Sequence, residues 1–196
     1  MFDVDQLITD CRDAASDSAP RRAVREVLLR AVGDGDEIAA ALRPTEGGLN
    51  ILYRSADLTI LDVVWAPGMR LYPHDHRMWA AIGIYSGQED NTFYRRSGDT
   101  HPHELTESGG KELRTGEVLL LGDDAIHAVA NPLRRLTAAI HVYGGDFVDQ
   151  PRSQWGPGPL EERPYDMQEV QRQFADANKL WEETKSPAGQ KPGGTA

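Results

Sequence analysis

The sequence predicts a mainly β fold, a sandwich or barrel of many short strands with helices at both ends. Three observations lead there. From about residue 49 the apolar period falls to two, as in Leu49-Asn50-Ile51-Leu52-Tyr53-Arg54 and in Leu58 to Trp65. Turn signals then recur at short intervals: Ala66-Pro67-Gly68, Ser86-Gly87, Ser97-Gly98-Asp99, Ser108-Gly109-Gly110, Gly122-Asp123-Asp124 and Asn131-Pro132. The first 45 residues instead repeat their apolar positions at helical spacing.

The elements follow in order. Val4, Leu7, Ile8 and Cys11 mark a first helix. Pro20 suits the first turn of a second helix over 20–31, with Val24, Val27, Leu28 and Ala31 on one face. Gly33 and Gly35 end it, and a third helix over 36–42 stops before Pro44. These short helices bury little alone, so residues 1–45 should pack on a barrel formed by 46–150. Further strands are predicted over 79–86, 91–96, 103–107, 111–114, 117–121, 126–130 and 136–143. The Pro- and Gly-rich stretch 150–164 should run over the surface. A last helix over 166–184 carries Met167, Val170, Phe174, Ala177 and Trp181 as one stripe for packing, so 151–185 forms an extension. Residues 186–196 should be a disordered tail.

Composition narrows the function. The chain has 196 residues, 21 Lys plus Arg against 31 Asp plus Glu, and a formal net charge of −10. Nucleic acid and anionic membranes need a cationic face, so neither is expected as a partner. No apolar run is long enough to span a bilayer, and the acidic N-terminus does not resemble a secretory leader. The chain therefore reads as cytoplasmic. Cys11 is the one cysteine, which excludes an internal disulfide and a cysteine-based zinc site. A homodimer paired through an exposed strand is compatible with the chain.

The histidines carry the chemistry. His74 and His76 stand two apart, and on extended backbone such residues share a face. His127 follows a turn and precedes another short strand. If those strands are neighbours, three imidazoles converge on one metal and leave positions open. His101 and His103 form a second pair in a stretch that reads as an exposed loop.

This stretch resembles the two motifs of the cupin superfamily. Gly68, His74, His76 and Gly87 fall in register with the first motif, and Gly116, His127 and Asn131 with the second. The resemblance implies a double-stranded β-helix barrel, to which the helices read from apolar spacing add N-terminal helices and one C-terminal helix. The glutamate of the first motif is replaced by Ala80. Three neutral imidazoles on a divalent metal leave a net charge of about +2, which favours an anionic ligand such as a thiolate.

Within the cupins, a three-histidine site without the glutamate resembles the thiol dioxygenases, the family of cysteine dioxygenase and 3-mercaptopropionate dioxygenase. Pro73-His74-Asp75-His76 is similar to its ligand string, and His127 to Pro132 to its third-ligand string. Ala139-Ile140-His141-Val142-Tyr143 is similar to its Ser-x-His-x-Tyr triad, with alanine in place of serine. The resemblance implies Fe(II) on His74, His76 and His127, a small thiol and O2 as substrates, and a sulfinate as product. It implies that His141 and Tyr143 orient the reacting complex. Arg54 is similar in position to the arginine that binds substrate carboxylate, and Trp79 with Met78 would line the pocket. Arg70, Arg77 and Arg95 are weaker candidates for the carboxylate. No Cys–Tyr crosslink is expected, because Cys11 lies in the N-terminal helix. Two alternatives stay open: a three-histidine cupin acting on a non-thiol substrate, by C–C cleavage or isomerisation, and a non-catalytic small-ligand binding domain.

Overall fold

The computed structural model describes residues 1–97, 101–156 and 160–185. Helices α1 (Val4–Ala15), α2 (Pro20–Val32) and α3 (Gly35–Leu42) come first. The strands follow: β1 (Gly48–Arg54), β2 (Thr59–Trp65), β3 (Arg70–Asp75), β4 (Ala80–Ser86), β5 (Gln88–Ser97), β6 (His101–Arg114), β7 (Val118–Leu121), β8 (Ile126–Ala130), β9 (Thr137–Tyr143), β10 (Ser153–Trp155) and β11 (Glu162–Pro164). Helix α4 (Met167–Lys185) closes the described chain. Asp3 caps α1 by accepting from the Asp5 and Gln6 amides, which satisfies donors the first turn leaves open.

The strands form two antiparallel sheets, β1-β2-β9-β4-β7 and β11-β10-β3-β8-β5-β6. From β2 to β9 the chain crosses repeatedly from one sheet to the other, so sequence neighbours rarely pair. This is a double-stranded β-helix, as expected. The first sheet is covered on both faces. Inside the barrel, Leu61, Val63, Ile82, Ile84 and Ala139 pack with Val170 and Phe174 of α4. Phe174 stacks on Trp65 with ring centroids 5.3 Å apart. Outside, Ile60, Val64, Ile140 and Val142 pack against Leu7, Val24, Leu28 and Ile38 of the N-terminal helices. Each buried aliphatic side chain contributes about 1.5–3 kcal/mol. Double coverage explains why β2 and β9 are apolar nearly throughout rather than strictly alternating. Cys11 sits in the helix-side cluster, fully buried.

The motif glycines have a common physical reason. Gly68, Gly87 and Gly116 adopt φ of +71°, +90° and +87°. A Cβ on Gly87 would lie 2.4 Å from the Thr137 Oγ1. Asn131 is buried and ties three chain segments together. Its Nδ2 donates to the carbonyls of Trp65, Ala66 and Arg135, and its Oδ1 accepts from the Leu133 amide.

Three expectations need correction. Ser108-Gly109-Gly110 is no turn: β6 continues through it and pairs with β5. The register shifts between Phe93 and Tyr94, so the extra residue is absorbed as a bulge, with Gly109 at φ +138°. Residues 70–75 form a strand that apolar patterning missed, because its inward positions include histidine. The stretch 150–164 is not all surface: it supplies β10 and β11, and Arg152, Ser153, Gln154 and Trp155 are buried. The side chains of His101 and His103 and the tail 186–196 lie outside the described residues. Among the described residues no helix is long and apolar enough to cross a membrane.

Gly87→Ala is expected to destabilise the fold by about 2–4 kcal/mol, combining left-handed strain with the Thr137 clash. Urea unfolding reads this directly. A loss below about 0.5 kcal/mol would show that the turn tolerates a side chain.

Candidate metal centre

His74 lies on β3, His76 directly follows it, and His127 lies on β8, where it pairs with His74 across the sheet. The inward face of the second sheet therefore carries all three rings. They are 4%, 2% and 1% exposed, and their candidate ligand atoms all lie within 4.8 Å of one another. Two rings have their orientation fixed from behind. The His74 Nδ1 donates to the Tyr72 carbonyl at 2.9 Å, and the His127 Nδ1 donates to the Asn91 Oδ1 at 2.7 Å. Each bond leaves Nε2 bare of a proton and free to ligate. The Nε2 atoms of His76 and His127 stand 3.4 Å apart. Three ring nitrogens gathered this closely in a buried site, with the His76 Nδ1 left without a partner, fit the donor set of a metal ion.

The rings are neutral. Burial pushes His74 down from 6.5 to about 4, and it holds His76 and His127 well below their ordinary value, aided by the neighbouring imidazoles. Neutral imidazole is the form that ligates a metal. The glutamate position of the first motif is filled by Ala80, buried inside the barrel, so no carboxylate joins the three rings there.

His141 and Tyr143 come from β9, on the opposite sheet. The His141 Nδ1 meets the Tyr143 hydroxyl at 3.0 Å, and the Tyr143 ring stands edge-on to His76 with centroids 5.0 Å apart. Burial first, then the nearby Tyr165, pushes the Tyr143 phenol up, so it keeps its proton. A carboxylate stands behind His141. The Glu89 Oε2 lies 3.6 Å from the His141 Nε2. Glu89 is fully buried and accepts from the Trp65 indole at 2.8 Å and the Asn91 amide at 3.0 Å. Burial alone would raise its pKa, but the His141, Asn91 and Trp65 donors outweigh that and hold it low.

Sequence reasoning missed Glu89 and Asn91. Their signal was two polar residues at i and i+2, in step with Phe93 on the inward face of one strand. It also missed Arg152. This guanidinium is 5% exposed and lies between the rings of Phe147, at 4.1 Å, and Tyr165, at 3.9 Å. Its Nη1 donates to the carbonyls of Phe147 and Gln150, while Nε and Nη2 have no partner. The same two rings approach the cluster, Tyr165 at 5.8 Å from the His74 ring and Phe147 at 6.0 Å from the His76 ring, which places the guanidinium near it. Phe147 also touches Tyr143, with centroids 4.3 Å apart, and lines a recess of about 90 Å³ with Leu49, Leu61 and Met167.

The structure does not bring Arg54 or Trp79 to the cluster. Arg54 is a partly exposed residue of β1 whose guanidinium is occupied by Asp146, at 2.8 Å, and Asp149, at 2.7 Å. Trp79 packs against the helix-side cluster and over Gly144. Met78 does pack in the barrel cluster, against Gly145. Arg70, Arg77 and Arg95 are exposed.

No family model matches the chain. Solved structures similar in part include a protein from Bacillus halodurans, 12% identical, with a TM-score of 0.46 over 69% of this chain and 89% of that one. A cupin superfamily protein from Desulfitobacterium hafniense is 18% identical, with a TM-score of 0.43 over 56% and 88%. The cupin domain of Schizosaccharomyces pombe Cnp3 is 9% identical, with a TM-score of 0.41, and the match spans 52% of this chain and 62% of that domain.

Because the folded chain resists protonating these rings, the unfolded chain takes up protons first as pH falls. The metal-free protein should lose stability below the ordinary histidine value of 6.5 and down to about 4. Between pH 7 and pH 5 His74 alone should account for about 2 kcal/mol. Urea unfolding of chelator-treated protein and of His74→Leu measures it. Equal pH slopes in the two would contradict a neutral, buried His74.

Proposed function

We propose that the chain is an Fe(II)-dependent dioxygenase that converts a small thiol bearing a carboxylate, of the cysteine or 3-mercaptopropionate kind, to its sulfinate. The overall change is R–SH + O2 → R–SO2H. The observation that carries this reading is a pairing: three neutral imidazoles with no carboxylate among them, beside a buried guanidinium with two unpartnered donors. The first suits an anionic sulfur, and the second suits a carboxylate. The resemblance of the ligand strings to the thiol dioxygenases supports the same reading.

His74, His76 and His127 would hold the iron through Nε2. When bound, the iron supplies a Lewis acid that keeps a thiol ionised at neutral pH and brings sulfur and dioxygen together. The chain's own groups do the rest. Arg152 offers Nε and Nη2, two roughly parallel donors that match the two oxygens of a carboxylate. Its flanking Phe147 and Tyr165 rings hold the guanidinium plane in place and exclude water. The Tyr143 hydroxyl, protonated and anchored by the His141 Nδ1, orients polar atoms beside His76. The Glu89 carboxylate faces the His141 Nε2 at 3.6 Å and favours a proton on that nitrogen. Arg54 has no part in this scheme, since two carboxylates already occupy it.

The first test is oxygen uptake by anaerobically iron-loaded protein with cysteine, 3-mercaptopropionate and cysteamine. One O2 consumed per thiol, with a sulfinate product, is expected for thiols that carry a carboxylate. No uptake with any thiol despite bound iron would overturn thiol oxidation and favour a non-thiol anion at the same site. Arg152→Leu should raise KM for a carboxylate-bearing thiol by roughly 10–100-fold, with a smaller change for cysteamine. Equal effects on both would remove Arg152 from carboxylate binding. Arg54→Leu is expected to leave KM within about twofold.

A further inference from the structure

Trp65, Glu89, Asn91 and His127 form one chain of hydrogen bonds whose direction is dictated by chemistry. The indole of Trp65 can only donate, and an ionised carboxylate can only accept. The Trp65 Nε1 donates to the Glu89 Oε2 at 2.8 Å, the oxygen that also faces the His141 Nε2 at 3.6 Å. The other carboxylate oxygen, Oε1, lies 3.0 Å from Asn91 and forces the amide to present its Nδ2 there. The Asn91 Oδ1 must then face His127, 2.7 Å away. An amide oxygen only accepts, so the His127 Nδ1 carries the proton. The bare nitrogen of His127 is therefore Nε2, the atom 3.4 Å from the His76 Nε2.

The geometry points to Glu89 as a positioning residue of the metal centre, one that selects the metal-binding tautomer of His127 through the orientation of the Asn91 amide. Glu89 touches no ligand atom itself. It acts by being an acceptor at both oxygens in a place where water cannot substitute, since Glu89, Asn91 and His127 are all at most 2% exposed. The inference rests on the metal reading of the three histidines and not on thiol chemistry.

Glu89→Gln isolates this property, because it keeps the shape and gives one oxygen position a donor. If the new amide nitrogen faces Asn91, the Asn91 amide turns over and offers Nδ2 to His127. The ring must then accept at Nδ1 and hold its proton on Nε2, where it blocks the metal. If the nitrogen faces Trp65 instead, two buried donors confront each other, which costs about 1–3 kcal/mol. The first arrangement satisfies every group along the chain and is the one expected. The double variant Glu89→Gln with Asn91→Asp reverses the effect. The carboxylate introduced at position 91 would accept both from the new amide at position 89 and from the His127 Nδ1. The oxygen of that new amide would accept from Trp65.

The experiment is nitrogen NMR on protein labelled with 15N-histidine, chelator-treated and at neutral pH, together with titration by Co(II) alone. Wild type should show His127 with its proton on Nδ1. Glu89→Gln should move it to Nε2 and weaken Co(II) binding by roughly 10–100-fold. Glu89→Gln/Asn91→Asp should restore the Nδ1 proton and bring Co(II) affinity back to within about tenfold of wild type. Retention of the Nδ1 proton in Glu89→Gln would overturn the proposal, whatever the affinity. Should Glu89→Gln not fold, the double variant carries the test, and loss of its Nδ1 proton would overturn the proposal equally. The NMR readout needs no metal. Absence of Co(II) binding in wild type would therefore sink the metal reading separately.

Discussion

Glu89 is an ion in a part of the barrel that has no surface toward water, and an ion there persists only where donors surround it. Trp65 and His141 reach it from one sheet, and Asn91 lies beside it on the other. That demand couples the two sheets more specifically than apolar packing does, because aliphatic contacts carry no direction. One branch from the carboxylate leads through Asn91 to a candidate metal ligand. The other leads through His141 to Tyr143.

Each layer of the molecule supplies a different component of the site. The second sheet supplies the three imidazoles, and the first supplies the imidazole–phenol pair that faces them. The segment after β9 supplies the positive charge. That segment is anchored at Asp75, between the two histidines of the first string. The Asp75 Oδ1 accepts from the Ser153 amide, its Oδ2 meets the Arg77 guanidinium, and Gln154 pairs with His74. The backbone that places the ligands thus also places Arg152, one residue before the anchor.

The parts of this design that were legible in the sequence are those with local causes. His74 and His76 share a face because strand side chains alternate, and Gly68, Gly87 and Gly116 stand where the backbone turns left-handed. The helices were readable from apolar spacing, from Pro20 in a first turn and from the stops at Gly33 and Pro44. Arg152 was not, because its burial depends on the Phe147 and Tyr165 rings and on the Ser153–Asp75 anchor, whose two partners are 78 residues apart. Arg54 was chosen by position in the chain, and nothing local showed that Asp146 and Asp149 would hold it. Ser108-Gly109-Gly110 carries turn residues, yet bulge and turn ask for the same backbone freedom, and only the pairing with β5 separates them.

Cys11 takes on meaning beside a centre proposed to oxidise thiols. It lies in α1, on the far side of the first sheet from the histidines, and burial followed by the charge of Asp10 pushes its pKa up to about 12. At neutral pH its thiolate fraction is on the order of 10⁻⁵, and the first sheet stands between it and the barrel interior. The protein's one sulfhydryl is thereby kept apart from the chemistry proposed for the histidine cluster. Placement and a raised pKa together would guard such a centre against oxidising its own chain.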